Sequence, residues 1–152
     1  MSGSRRGSDL RLGRYSETGQ IYLLTSVVHD RIPLFSHWQT GRLVVQEFRR
    51  VQEQGLAESL AWVVMPDHFH WLVTLKKGSL GMLMRKVKSR SALSLLRLGH
   101  TSQQVWQKGY HDRAIRREED LQSVARYIVA NPLRAGLVQR IGDYPLWDAV
   151  WL

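Results

Sequence analysis

Apolar positions along the chain follow two periodicities, and the points where one gives way to the other mark out the elements. Ile21 to Val28 is β-branched and aromatic, the pattern of a strand. Pro33 and Ser36 then introduce a stretch from about His37 to Gln54 in which Trp38, Leu43, Val44, Phe48 and Val51 form one helical face, and Gly55 ends it. Leu60 to Met65 and His68 to Leu75 read as paired strands joined at Pro66-Asp67, a turn dipeptide that cannot continue a ladder. A second helix is expected over roughly Ser79 to Leu98, with Leu80, Leu83, Met84, Val87 and Leu95 as its buried stripe.

Gly99 to Gln104 is a connector, Val105-Trp106 reads as the start of a strand, and His111 to Arg117 contains a short one. A third helix starts near Glu118, where acidic residues suit the positive helix end, and runs to Asn131 before Pro132. The order strand, helix, strand, strand, helix, strand, helix predicts an α+β fold of the ferredoxin-like, split βαβ kind. Its central antiparallel sheet would have four to five strands, with helices packed on it. Tyr144, Trp147 and Trp151 in the tail are expected to pack back on the domain.

With 152 residues the chain suits one domain, expected over residues 20–152 and preceded by a flexible basic arm over residues 1–19 that is rich in Ser, Gly and Arg. No apolar run is long enough to span a bilayer, so no membrane partner is expected. The absence of cysteine excludes disulfides and thiolate chemistry, and together with the lack of a leader pattern it gives a cytoplasmic expectation. Twenty-two Lys and Arg against 13 Asp and Glu give a formal charge of +9, which gathers polyanions and makes nucleic acid the leading partner class. No glycine loop for a nucleotide cofactor is present.

Chemistry concentrates in AWVVMPDHFHWLVTL, Ala61 to Leu75. Side chains alternate along a strand, so His68 and His70 project together while Phe69, Trp71, Val73 and Leu75 point to the other face. Such a pair can be merely solvated or hydrogen-bonded, but the strongly apolar opposite face leaves this one available to hold a metal. In the third helix Tyr127 and Asn131 are four residues apart and share a face. By themselves they would read as a packing residue and a helix cap.

Beside two imidazoles they suggest more. A phenolic oxygen can attack a phosphodiester and retain the phosphate as a covalent ester when a cation polarises the phosphoryl oxygens. Two imidazoles and a carboxamide oxygen would suit a first-row divalent ion and leave positions open, with Mn2+ or Mg2+ the available choices, although magnesium's preference for oxygen fits two histidines poorly. Asp67 and His111 are alternative ligands or partners that orient an imidazole. Tyr110 is a rival nucleophile by residue type, placed before a strand and more readily structural.

These residues carry a resemblance. WVVMPDHFH resembles the histidine-hydrophobic-histidine motif of the single-tyrosine HUH nucleases. YIVANPLRAGLV at Tyr127 to Val138 is similar to the tyrosine helix of the REP-associated tyrosine transposases, and VWQKGYHDRAIR at Val105 to Arg116 to the segment that precedes it. The resemblance runs from Ile21 to Trp147. It implies an enzyme that cuts and rejoins single-stranded DNA at short palindromic hairpins through a 5′-phosphotyrosine, with Tyr127 as nucleophile and His68, His70 and Asn131 as metal ligands. Two other readings stand beside it: a non-catalytic hairpin-binding regulator, and a metal-dependent nuclease that activates water.

Three groups of basic residues are candidates for DNA contact: Arg5, Arg6, Arg11 and Arg14 in the arm; Arg85, Lys86, Lys88 and Arg90 on the second helix; and Arg113, Arg116 and Arg117 around the last strand. Those on the second helix and around the last strand could equally be ordinary solvated surface. The second helix is expected to track phosphates beside the site. Monomer and homodimer are both compatible with the sequence.

Overall fold

The computed structural model describes residues 16–151. Five strands form one open antiparallel sheet in the order β4-β1-β3-β2-β5: β1 (Ile21–Val27), β2 (Ala57–Met65), β3 (His68–Leu75), β4 (His111–Ile115) and β5 (Trp147–Ala149). Helices α1 (Trp38–Glu53) and α2 (Leu80–Arg97) follow β1 and β3, giving the ferredoxin-like plan, and α3 (Glu118–Val129) and the short α4 (Asn131–Arg134) follow β4. The α+β fold class is as expected.

The alternation of β3 divides the sheet into two faces with different coverings. Phe69, Trp71, Val73 and Leu75 point into the larger core, against Val44 and Phe48 of α1 and Leu83, Met84 and Val87 of α2. Phe48 is stacked on Trp71 with ring centroids 4.4 Å apart and meets Phe69 edge-on at 5.2 Å. Removing that ring leaves a void under two aromatics, so Phe48→Ala should cost about 3–5 kcal/mol, read by denaturant unfolding.

The second core is smaller. Ala61, Val63 and Met65 of β2 and Leu72 of β3 pack with Ala125, Ile128 and Val129 of α3. His68 and His70 share this face, because residues two apart in a strand point the same way. The site therefore lies on the face that α3 covers only in part.

Several boundaries depart from the sequence pattern. β2 begins at Ala57, three residues earlier than expected, and its register against β3 shifts between Ser59 and Ala61, so odd-numbered positions change face: Ala57 packs in the larger core, and Ala61, Val63 and Met65 on the other side of the sheet. Val105-Trp106 forms no strand. Trp106 makes a single bridge with Val28 and is otherwise a buried anchor, its ring 5.4 Å from Phe69 and its Nε1–H donating to Ser91 Oγ at 3.1 Å. The third helix stops at Val129 and Asn131 opens α4, with Pro132 in its first turn, where a missing N–H costs nothing.

The tail packs back on the domain. Tyr144 donates its hydroxyl to Val64 O at 2.6 Å, and Trp147 lies in β5 and donates Nε1–H to Ile141 O at 3.0 Å. Trp151 is 38% exposed and lines a small cleft with Gln122, Ala125 and Arg126 of α3. The arm arginines Arg5, Arg6, Arg11 and Arg14 lie outside the described residues.

Candidate active site

Register brings the two histidines together and gives each a fixed partner. His68 lies opposite Val27 and Met65, and His70 opposite Thr25 and Val63. Their ring centroids are 4.9 Å apart with the planes at 78°. Each ring is held through Nδ1: His68 Nδ1 is 2.7 Å from Asp67 Oδ1, and His70 Nδ1 is 2.7 Å from Thr25 Oγ1. The Asp67 carboxylate only accepts, so His68 carries its hydrogen on Nδ1 and has its free lone pair on Nε2; His70 offers Nε2 in the same way when the Thr25 hydroxyl accepts from its Nδ1.

Asp67 is itself held. Arg31 donates from a guanidinium nitrogen to Asp67 Oδ2 at 3.1 Å, so one carboxylate joins Arg31 to His68. Burial would raise its pKa, but the hydrogen bonds from His68 and Arg31 outweigh that and hold it below the usual carboxylate value. Arg31 reaches it from a turn in which Asp30 and Arg31 are both left-handed, with φ of 56° and 51°. That conformation is uncommon outside glycine and marks a locally strained segment beside the pair.

His70 is the more enclosed ring. Burial, then the neighbouring His68, then Arg134 push its pKa down to about 4, so it is neutral at physiological pH. A neutral imidazole is the form that ligates a metal. Two adjacent, oriented imidazole donors fit a first-row divalent cation. Among the described residues no cluster of three or more His, Cys, Asp or Glu side chains could hold a metal ion, so a third donor from those residues would be of another type.

Tyr127 lies on α3 with its side chain 64% exposed, while its neighbours Ile128 and Val129 turn into the second core. The guanidinium of Arg134 lies over its ring, 3.8 Å from the centroid. Arg134 also acts electrostatically on His70, so the same guanidinium lies against the phenol and within electrostatic range of the histidine pair. Asn131 is half-buried at the start of α4, and its backbone oxygen accepts from Ala135 N at 2.9 Å.

The basic candidates separate by face. α2 packs on the Phe69 and Trp71 side, so Arg85, Lys86, Lys88 and Arg90 lie across the sheet from the histidines rather than beside them. Lys88 is tied down: its ammonium donates to the carbonyls of Gln107 and Gly109, and burial lowers its pKa to about 8. It braces the connector. Arg113 pairs with Leu23 and His111 with Thr25, which puts both on the histidine face at the β4 edge. Arg113, Arg116 and Arg117 also line one cleft between β4 and α3, where Arg117 approaches Asp120 at 3.8 Å.

Tyr110 is almost fully buried, on the side of the sheet that faces α2, with its ring in the larger core. It is removed from the histidine face. Thr25, Arg31 and Arg134 were not singled out from sequence, since the first two approach the histidines only through strand register and a turn.

Comparison with known proteins defines the class. The family model described as "Transposase IS200 like" matches residues 17–131, most of the chain, and the chain belongs to that family. Its similarities there are to REP-associated tyrosine transposases. It is 32% identical over 100 residues to the Escherichia coli K12 REP-associated tyrosine transposase, a match covering 63% of this chain and 56% of that protein. It is 25% identical over 142 residues to a putative REP-associated tyrosine transposase of Haemophilus influenzae, covering 84% and 78%. The match to the Escherichia coli protein thus spans little more than half of that protein's length.

Solved structures agree on the fold. A REP-associated tyrosine transposase bound to a REP hairpin superposes with a TM-score of 0.74 at 25% identity, covering 97% of this chain and 82% of that one. A putative transposase from Deinococcus radiodurans gives 0.55 at 19% identity, covering 76% and 93%. No helix among the described residues is long and apolar enough to cross a membrane.

Proposed function

We propose that this protein is a metal-dependent single-stranded DNA endonuclease and strand transferase that acts at palindromic hairpins through a 5′-phosphotyrosine on Tyr127. The observation that carries the reading is the pair of neighbouring imidazoles, each held at Nδ1, with Tyr127 under a guanidinium that also acts electrostatically on His70. Family membership and the likeness to a hairpin-bound transposase support it.

In the proposed reaction Tyr127 Oη attacks phosphorus and the P–O3′ bond breaks. The 3′ oxygen leaves as a hydroxyl after taking up a proton, the phenolic proton is lost to solvent, and the phosphate stays esterified to Oη. A 3′-hydroxyl attacking that ester rejoins a strand and returns the tyrosine, so no nucleotide hydrolysis is needed. His68, His70 and the Asn131 carboxamide would hold Mn2+ or Mg2+, which supplies Lewis-acid polarisation of the phosphoryl oxygens. Asp67 keeps the His68 imidazole in the tautomer that offers Nε2, and Thr25 fixes the orientation of the His70 ring.

Arg113, with His111 on the same face, and the neighbouring Arg116 and Arg117 suit the incoming phosphates better than the α2 cations do. The arm arginines remain candidates for the hairpin.

Asp67→Ala should weaken Mn2+ binding by about 10–100-fold in titration calorimetry, because it frees the His68 ring, while hairpin affinity in low salt stays near wild type. The function itself is tested with single-stranded hairpin oligonucleotides of varied flanks and Mn2+. Cleavage that leaves a polymerase-extendable 3′ end and stops with chelator is the expected result. Binding without cleavage across the set would favour a regulator.

A further inference from the structure

Arg134 takes no part in the larger core and forms no ion pair among those found at the described residues, yet its position is well determined. Its backbone N–H donates to Ala130 O at 3.1 Å, and Leu133 N–H donates to the same oxygen at 3.0 Å, which ties α4 to the end of α3. Buried Pro132 adds a fixed φ within that turn. The side chain then returns over the preceding turn and lays its guanidinium on the Tyr127 ring.

Tyr127 needs such a partner. A phenol on an exposed helix face has two free torsions and few neighbours to select among them, and the three residues that follow its ring into the core, Ile128, Val129 and Pro132, leave it outside. A nucleophile must be held in line to reach an efficient attack geometry, and misplacement by about 1 Å costs roughly 100-fold. A planar cation on the ring face restricts the ring without covering its hydroxyl. A guanidinium that lies on a ring face uses none of its N–H donors there, which leaves them for an anion.

We propose that Arg134 is the positioning residue for Tyr127: it holds the ring beside the histidine pair, and a DNA phosphate taken on its N–H edge locks that arrangement. The inference rests on the reading of Tyr127 as nucleophile. It assigns Arg134 to the rate of attack rather than to affinity, since one exposed cation is a small part of a binding surface that includes Arg113, Arg116 and Arg117.

The test uses the full chain with Mn2+ and the single-stranded hairpin oligonucleotide set, under single-turnover conditions at saturating protein. Arg134→Ala should slow formation of the denaturation-resistant adduct by about 10–100-fold, with hairpin Kd changed less than about 3-fold and Mn2+ affinity unchanged. Arg134→Lys should recover little, because an ammonium has the charge but no planar face, whereas added methylguanidinium should restore part of the Arg134→Ala rate. Arg134→Gln repeats the comparison with a polar side chain should the alanine variant fold poorly.

Wild-type adduct rates in Arg134→Ala and Arg134→Gln, with Tyr127→Phe inactive, would overturn the positioning role alone. Full recovery by Arg134→Lys would also overturn it, in favour of simple charge. An adduct that survives Tyr127→Phe would overturn the nucleophile and the positioning role together, so the two failures are distinguishable.

Discussion

Tyr127→Phe is expected to abolish the covalent protein–DNA adduct and hairpin cleavage together, a loss on the order of 10⁴-fold or more, while hairpin affinity stays within about 2-fold of wild type. The change removes one oxygen and leaves the ring on which Arg134 stacks. Its exposed position on α3 means that the hydroxyl supports no buried network, so folding should be unchanged within about 0.5 kcal/mol. Activity and stability are thereby separated in one variant. Tyr110→Phe is the matched control: it alters a buried ring in the larger core and should leave the adduct intact. The assay is a denaturing gel of labelled hairpin beside both variants.

The second large effect belongs to the histidines. His68→Ala or His70→Ala should lower Mn2+ affinity by at least about 100-fold, more than the loss expected from an orienting partner, and cleavage should fall with it. Binding of the hairpin in chelator should hold, because the basic surface that gathers DNA is untouched and His70, whose pKa is near 4, has no charge to lose at neutral pH. The two variants differ in one respect. His70 is the more buried and shares its Thr25 bond with β1, so its alanine also leaves a polar hydroxyl facing a small void, a cost of about 1–3 kcal/mol. His68→Ala is the cleaner probe of metal binding. Equal losses in hairpin affinity and cleavage would assign the pair a structural role.

Much of this was legible in the chain because β3 has a simple pattern. Four large apolar residues alternate with His68, His70, Leu72 and Thr74, and a slip by one position would bury the imidazoles and expose the tryptophan, so the register is strongly specified. The same logic placed β1, α1 and α2 to within a residue or so of their observed ends. Short elements were harder. Val105-Trp106 has strand-like residues but only one bridge to Val28, because its tryptophan is used to plug the core against Phe35 and Phe69. Trp147–Ala149 is a strand only because the free edge of β2 accepts it, a fact held in tertiary contacts rather than in three residues.

The site shows the same division. Spacing put His68 and His70 on one face and singled out Tyr127, whereas the groups that contact them or their partners come from elsewhere: Thr25 by cross-strand register, Arg31 from a left-handed turn, Arg134 by the chain's return after Asn131. Charge was the least local signal. The α2 cations look like a phosphate-tracking stripe in sequence, but helices after β1 and β3 both pack on the face opposite the histidines, and Lys88 spends its charge on two carbonyls.

The most direct measurement of the central claim is to digest the denatured adduct formed with Mn2+ and a hairpin oligonucleotide and locate the DNA by mass spectrometry. The account predicts a nucleotide 5′-phosphate esterified to Tyr127 and carried by the fragment from the 3′ side of the cut. A nucleotide on any other residue, or cleavage with unmodified protein throughout the time course, would contradict it.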